Sequence, residues 1–277
     1  MATELEIFAQ RLKQARILKK FSMDQLVQLI GRSVSKQSIS KYESAKMMPN
    51  STVLIALATA LDVDIEYFFR PFTFEVNKFE VSFRKKSDAS PKDINALKVQ
   101  IQDQIERYLE VEELLGKQGG RIDYNESDII STPDQMRLLA QEVRKRWNLG
   151  NDAIANVQDT LESEGIKVIT TDAPNSFDGV SGVVNGRDYI VVLNKNQEHV
   201  ERRRFTGMHE LGHLLCNGRF HQELTLRERE HLCNSFASEM LLPSANLHRM
   251  FNPGEKISVS VTYGFLLVSV RLHWFLS

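Results

Sequence analysis

His209-Glu210-Leu211-Gly212-His213 is the stretch of this chain whose residue types and spacing are best suited to chemistry. On a helix, residues four apart lie one turn apart on the same face, so His209 and His213 can present their imidazoles to one metal ion. Glu210 stands beside them, placed to take a proton from an attacking water. The pattern H-E-x-x-H is the core of a zinc peptidase site. So short a pattern also recurs in unrelated proteins, and its context has to carry the rest.

A hydrolytic zinc ion takes three protein ligands and keeps one position open. The longer pattern H-E-x-x-H-x-x-G-x-x-H would supply a third histidine, but Cys216 and Arg219 stand where its glycine and histidine belong. The other common source is a glutamate on the following helix, here Leu226 to Leu242, which offers Glu228, Glu230 and Glu239. Cys233, Asn234, Ala237, Met240 and Leu241 form the inward stripe of that helix. Glu230 joins the stripe, three residues before Cys233 and seven before Ala237. Glu228 and Glu239 fall out of phase with it. Glu230 is the preferred ligand and Glu228 the reserve. The plainer alternative for Glu230 is a solvated carboxylate favoured by the helix N-terminus. Cys216 is close enough in sequence to be a ligand but is not needed as one.

Several elements must position these residues. Pro133 opens a helix carrying Met136, Leu139, Ala140 and Val143, closed by Trp147-Asn148-Leu149-Gly150. Ile154, Val157 and Leu161 mark a further helix. Gly165–Ile169 and Asp188–Asn194 read as strands, Asp178–Gly182 as a loop, and Arg202–Cys216 as the helix bearing the H-E-x-x-H. The 180–193 region is a candidate sheet edge for holding a peptide by main-chain pairing.

The N-terminal segment has a different character. Between Phe8 and Lys46 the bases Arg11, Lys13, Arg16, Lys19, Lys20, Arg32, Lys36, Lys41 and Lys46 meet only Asp24 and Glu43. Phe8, Leu12 and Ala15 repeat at helical spacing, and Ser22 reads as the N-cap of a helix ended by Gly31. Lys36–Glu43 forms a short helix, Met48-Pro49-Asn50-Ser51 breaks and recaps the chain, and Val53, Leu54, Leu57, Ala58 and Leu61 make a fourth stripe. A short fifth element runs from Asp64 to Phe69. Two helices joined by a tight turn, with small polar and basic residues leading the second, describe a helix-turn-helix. Residues 8–69 resemble the Xre/Cro-type phage-repressor domain. By position, Ser35, Lys36, Gln37, Ser38 and Lys41 face double-stranded operator DNA. Gln37 suits an adenine edge, Lys36 or Lys41 guanine or phosphate, and Ile39 anchors the helix. A protein-interaction domain of the same fold is the alternative.

Between the two regions, Phe72–Val76 and Lys78–Phe83 alternate like strands around Asn77, and Ser90-Pro91 opens a long helix to about Leu115. That helix reads as a strut or a dimerisation helix, with the strut preferred. Gly116–Asn125 reads as a boundary.

Arg204–Leu215, then Glu230-x-x-Cys233-Asn234-x-Phe236-Ala237, then Leu241-Leu242-Pro243 resembles the ImmA/IrrE family of metallopeptidases. The resemblance reaches back through Trp147–Gly150 and Asp178-Gly179-x-Ser181 and covers roughly residues 130–245. It implies one Zn²⁺ held by His209, His213 and Glu230, with Glu210 as general base. Cys233 stands where the family often has alanine, and the tail from Lys256 departs from the family pattern and reads as shortened.

The implied fold class is α+β. Residues 1–71 form a five-helix Xre-type domain, 72–125 a strand/helix connector, and 126–277 a gluzincin-like α+β metallopeptidase domain with a small sheet and the H-E-x-x-H active helix. A chain of 277 residues is long enough for two domains, and 42% hydrophobic with 26% charged residues is ordinary for a globular protein. A net charge of −1 excludes a polyanion binder acting through the whole molecule. Two cysteines make no disulfide framework, and no apolar segment follows Met1, which points to the cytoplasm. Ile257–Val270 is apolar but shorter than the roughly 18–20 residues that span a membrane, and reads as a buried strand or helix. The expectation is a DNA-binding regulator fused to a zinc endopeptidase that cleaves a regulatory protein such as a repressor, with homodimers on palindromic DNA. The competing expectation is a regulator, or an antitoxin-like DNA binder, whose peptidase-like domain senses a ligand or partner and cuts nothing.

Overall fold

Caps decide where the N-terminal helices begin. Thr3 and Glu6 exchange hydrogen bonds at the head of α1 (Glu4–Leu18), and Ser22 and Gln25 do so at the head of α2 (Met23–Leu29). Ser35 caps α3 (Lys36–Glu43) and Asn50 caps α4 (Ser51–Leu61). The fifth element is a 3-10 helix, Ile65–Phe69, whose N-cap Asp64 makes no side-chain capping bond. Phe8, Leu12, Leu26, Ile39, Leu57, Leu61 and Phe68 are fully buried together and form the core of this unit. In the computed structural model the described residues are 3–72, 90–116 and 128–246, with the backbone of 256–262 and 265–271. The strand-like segments 73–76 and 78–83, the turn at Asn77, the boundary residues 117–125 and Tyr263-Gly264 lie outside them.

The long helix α5 (Pro91–Leu114), capped by Ser90, packs on α1 within the N-terminal unit. Its buried face, Leu97, Ile101, Ile105 and Leu109, includes Glu106. Arg11 of α1 is completely buried and grips the Glu106 carboxylate with both guanidinium nitrogens, at 2.5 and 2.8 Å. The rest of the guanidinium donates to the carbonyls of Arg70 and Pro71 and to Gln14. A buried pair of this kind survives because every donor is matched. Arg11 is therefore a structural residue, although by sequence it joins the basic face. Arg16 is similarly engaged, forked onto Glu43 at 2.5 and 2.7 Å.

The second unit contains α6 (Pro133–Arg146), α7 (Val157–Ser163), β1 (Lys167–Thr171), β2 (Gly179–Val184), β3 (Asp188–Asn194), α8 (Val200–Leu215), α9 (Leu226–Leu241), β4 (Lys256–Thr262) and β5 (Phe265–Arg271). The sheet order is β1-β3-β2, with β1 parallel and β2 antiparallel to β3. β3 is the central strand, and Ile190, Val191 and Val192 are completely buried. Of the 180–193 region, then, β2 is the edge and β3 is not.

Asp178–Gly182, expected to be a loop, enters β2 at Gly179. The glycine serves close approach there. A Cβ on Gly179 would sit 2.7 Å from Thr206 Cγ2 of α8 and 2.8 Å from the Val192 carbonyl oxygen. Gly212 does the same between helices, since a Cβ there would meet Phe236 of α9 at 3.2 Å. α9 lies against both α8 and α6, and Phe205, Met208, Leu211, Phe236, Ala237 and Met240 share their core with Met136 and Val143. Buried Arg144 of α6 donates to the carbonyls of Gly150, Asp152 and Met240, pinning the turn after α6 to the end of α9. The apolar stretch from Ile257 to Val270 forms two antiparallel strands, β4 and β5, with Ile257 opposite Val270. Among the described residues no helix is long and apolar enough to cross a membrane.

Candidate metal centre and nucleic-acid interface

α8 sets His209 and His213 one turn apart with their Nε2 atoms 3.1 Å from each other. From α9, Glu230 reaches both: Oε2 lies 3.2 Å from His209 Nε2 and Oε1 lies 3.1 Å from His213 Nε2. The three residues can offer ligand atoms within 4.8 Å of one another, the one such group among the described residues. Bonds of about 2.0–2.2 Å to a tetrahedral Zn²⁺ would hold donor atoms roughly 3.3–3.5 Å apart, so the donor set and its spacing fit that ion. His209 is buried at 8% exposure while the Glu230 side chain is 53% exposed, so the cluster is open to solvent on the glutamate side.

The other glutamates of α9 are engaged elsewhere. Glu228 accepts from the Thr225 backbone and hydroxyl at 2.8 and 2.7 Å, closing the capping box that starts the helix. Glu239 does not point outward as its phase suggested. It is buried, and accepts from Gln141 Nε2 of α6 at 2.9 Å and from Ser244. A helix packed on two neighbours has two inward faces, one toward α8 and one toward α6, and a single stripe misses the second. Cys216 packs its sulfur 3.5 Å from Met136 Sδ, and burial pushes its thiol pKa up to about 12. Burial also raises the Cys233 thiol.

Glu210 is nearly buried beside the histidines. Ser181 of β2 donates to its Oε2 at 2.7 Å, with the Glu210 carbonyl 3.0 Å from the same hydroxyl. Asn234 Oδ1 lies 2.8 Å from His209 Nδ1. Neither contact follows from the sequence. Asn234 carried a signal, being an amide inside a helix on the same face as Glu230, where a polar group needs a partner. Ser181 carried none that linked it to Glu210.

The electrostatics of the cluster follow from its charges. Burial works against charging His213, yet Glu230 and Glu210 beside it raise its pKa above the ordinary imidazole value. Burial also works against charging Glu230, and the two imidazoles overcome it, holding the carboxyl well below the usual carboxylate range. With the His213 pKa raised and the Glu230 pKa lowered, a metal ion held by these residues would have to displace a proton that His213 carries in the metal-free molecule.

In the N-terminal unit, α3 buries Ile39 and Tyr42 and exposes Ser35, Lys36, Gln37 and Lys41, with Ser38 half-buried. The Ser35 hydroxyl accepts from the Ser38 backbone at 3.2 Å as the helix cap. Lys36 pairs with Asp24 of α2 at 2.6 Å, an exposed and weak tie.

Residues 161–271 match the family model described as the IrrE N-terminal-like domain, a peptidase family, and residues 12–68 match the helix-turn-helix model. The chain joins a helix-turn-helix domain to an IrrE N-terminal-like domain. The IrrE-like match begins inside α7 and runs through β5, whereas the resemblance read from sequence began near 130 and stopped near 245. The crystal structure of the restriction-modification controller protein C.AhdI from Aeromonas hydrophila is similar to 24% of this chain and 96% of its own, at 29% identity and a TM-score of 0.22. Comparison with curated proteins gave no match.

Proposed function

We propose that the chain is a DNA-binding transcriptional regulator whose IrrE-like domain is a zinc-dependent endopeptidase. The observation that carries the reading is the convergence of His209, His213 and Glu230, with Glu210 buried at their side, inside a segment that matches a peptidase family. His209, His213 and Glu230 would hold one Zn²⁺, which would supply Lewis acidity toward the scissile carbonyl and a lowered pKa for the attacking water. Glu210 accepts a proton from that water and returns one to the leaving amine. Ser181 keeps the Glu210 carboxylate aimed. The substrate is a protein segment laid along the β2 edge of the sheet, directly beside α8, by main-chain pairing.

On the other unit, the exposed face of α3 enters the major groove. Gln37 reads a base edge, and Lys36 and Lys41 contact bases or phosphates. A peptidase carried by a DNA reader acts on regulatory proteins, and a repressor bound at the same operator is the substrate class this arrangement favours.

The test is comparative. Full-length zinc-loaded protein and its Glu210→Gln variant are incubated with a lysate of the source cell, and newly formed protein N-termini are identified. Wild type should generate sites that the variant makes at least about 100-fold more slowly. Identical sets of N-termini from both proteins would overturn the peptidase reading and leave a regulator that does not cut.

A further inference from the structure

We propose that Asn234 is a positioning residue that selects the metal-binding tautomer of His209. This rests on the reading of His209, His213 and Glu230 as zinc ligands. Asn234 lies four residues after Glu230 on α9, so the carboxylate and the amide stand side by side on the face turned to α8. Asparagine is a poor helix former, and its amide in mid-helix has to be matched. The match is His209 Nδ1, 2.8 Å from Asn234 Oδ1.

The chemistry of that contact has one consequence. An amide oxygen only accepts, so this contact calls for a proton on Nδ1, and in a neutral ring that leaves Nε2 with a bare lone pair. Nε2 is the atom that faces Glu230 Oε2 at 3.2 Å and His213 Nε2 at 3.1 Å. The opposite tautomer would put a hydrogen into the space where the ion is held. One helix pair thus supplies both halves of the site. α8 brings the two imidazoles, and α9 brings the third ligand together with the group that orients the first. The amide does this without adding charge to a cluster that already contains the Glu230 and Glu210 carboxylates. A ligating histidine whose second nitrogen is held in this way binds metal more tightly.

The experiment measures zinc affinity of the full-length chain by chelator competition for wild type, Asn234→Leu and Asn234→Asp. Ring-nitrogen NMR shifts of His209 are recorded in zinc-loaded wild type. The leucine variant should bind zinc about 10–100-fold more weakly. The aspartate variant, which keeps an acceptor at the same place, should bind at least as tightly as wild type. In the zinc-loaded protein His209 should carry its proton on Nδ1. An Nε2–H tautomer, a leucine variant equal to wild type, or an aspartate variant as weak as leucine would each overturn the inference. The NMR arm stands even if the leucine variant does not fold. Wild type that binds no zinc would remove the ligand reading itself. Wild type that binds zinc while the leucine variant matches it removes only the role of Asn234.

Discussion

The helices that carry the candidate site also carry both thiols of the chain, Cys216 at the end of α8 and Cys233 within α9. Burial raises both thiol pKa values, Cys216 to about 12, so at neutral pH neither forms the thiolate that attacks reagents or binds zinc. Native protein at pH 7.5 should therefore leave both cysteines unlabelled by a disulfide reagent over a period in which denatured protein is fully labelled. Rapid native labelling of Cys216 would contradict its packing against Met136. At this scale the sequence was informative where helical period decides. Helical phase favours Glu230 over Glu228 as the carboxylate beside His209 and His213, and those three side chains do converge. Phase failed for Glu239, because α9 has a second neighbour that one amphipathic stripe does not reveal. It was silent on Ser181, whose partner lies across a strand and a helix that only tertiary packing brings together.

Element boundaries were legible where a cap announces them. Ser22, Ser35, Asn50, Ser90 and Pro133 mark helix starts in the sequence, and helices begin there. β2 was misread because glycine has two uses, turning the chain and admitting a close neighbour. Gly179 has the second, under Thr206. The tie between α1 and α5 was also hidden. Arg11 looks like one more base on a cationic surface until its carboxylate, many residues away, is placed against it. Removing Glu106 should strand a buried guanidinium. Glu106→Ala is expected to lower stability by about 3–5 kcal/mol in denaturant unfolding, while replacing Arg11 and Glu106 together by apolar residues of similar volume should be far milder. An Ala variant as stable as wild type would show that the pair is solvated.

Across the whole molecule the net charge of −1 conceals a division of labour among the bases. Arg11 and Arg16 are committed to carboxylates inside the N-terminal unit, so the charge proposed to face DNA would rest on the lysines and on Arg32. Binding to a selected duplex, followed by fluorescence anisotropy, should weaken steeply with salt, by a logarithmic slope of about −0.9 per phosphate contact. Lys41→Ala should reduce affinity evenly across sequences. Gln37→Ala should lose about 1–3 kcal/mol of discrimination at a single base pair. Salt-independent binding would point instead to a protein partner for α3.

Metal stoichiometry separates the proposed roles of His209, Glu210, His213 and Glu230. Zinc per chain is measured on the full-length protein and three variants after dialysis against a weak chelator. Wild type and Glu210→Gln should each retain one zinc, since the proposed role of Glu210 is that of a base and not a ligand, whereas His213→Ala and Glu230→Ala should retain little or none. Loss of zinc from Glu210→Gln, or full retention by His213→Ala, would contradict the account.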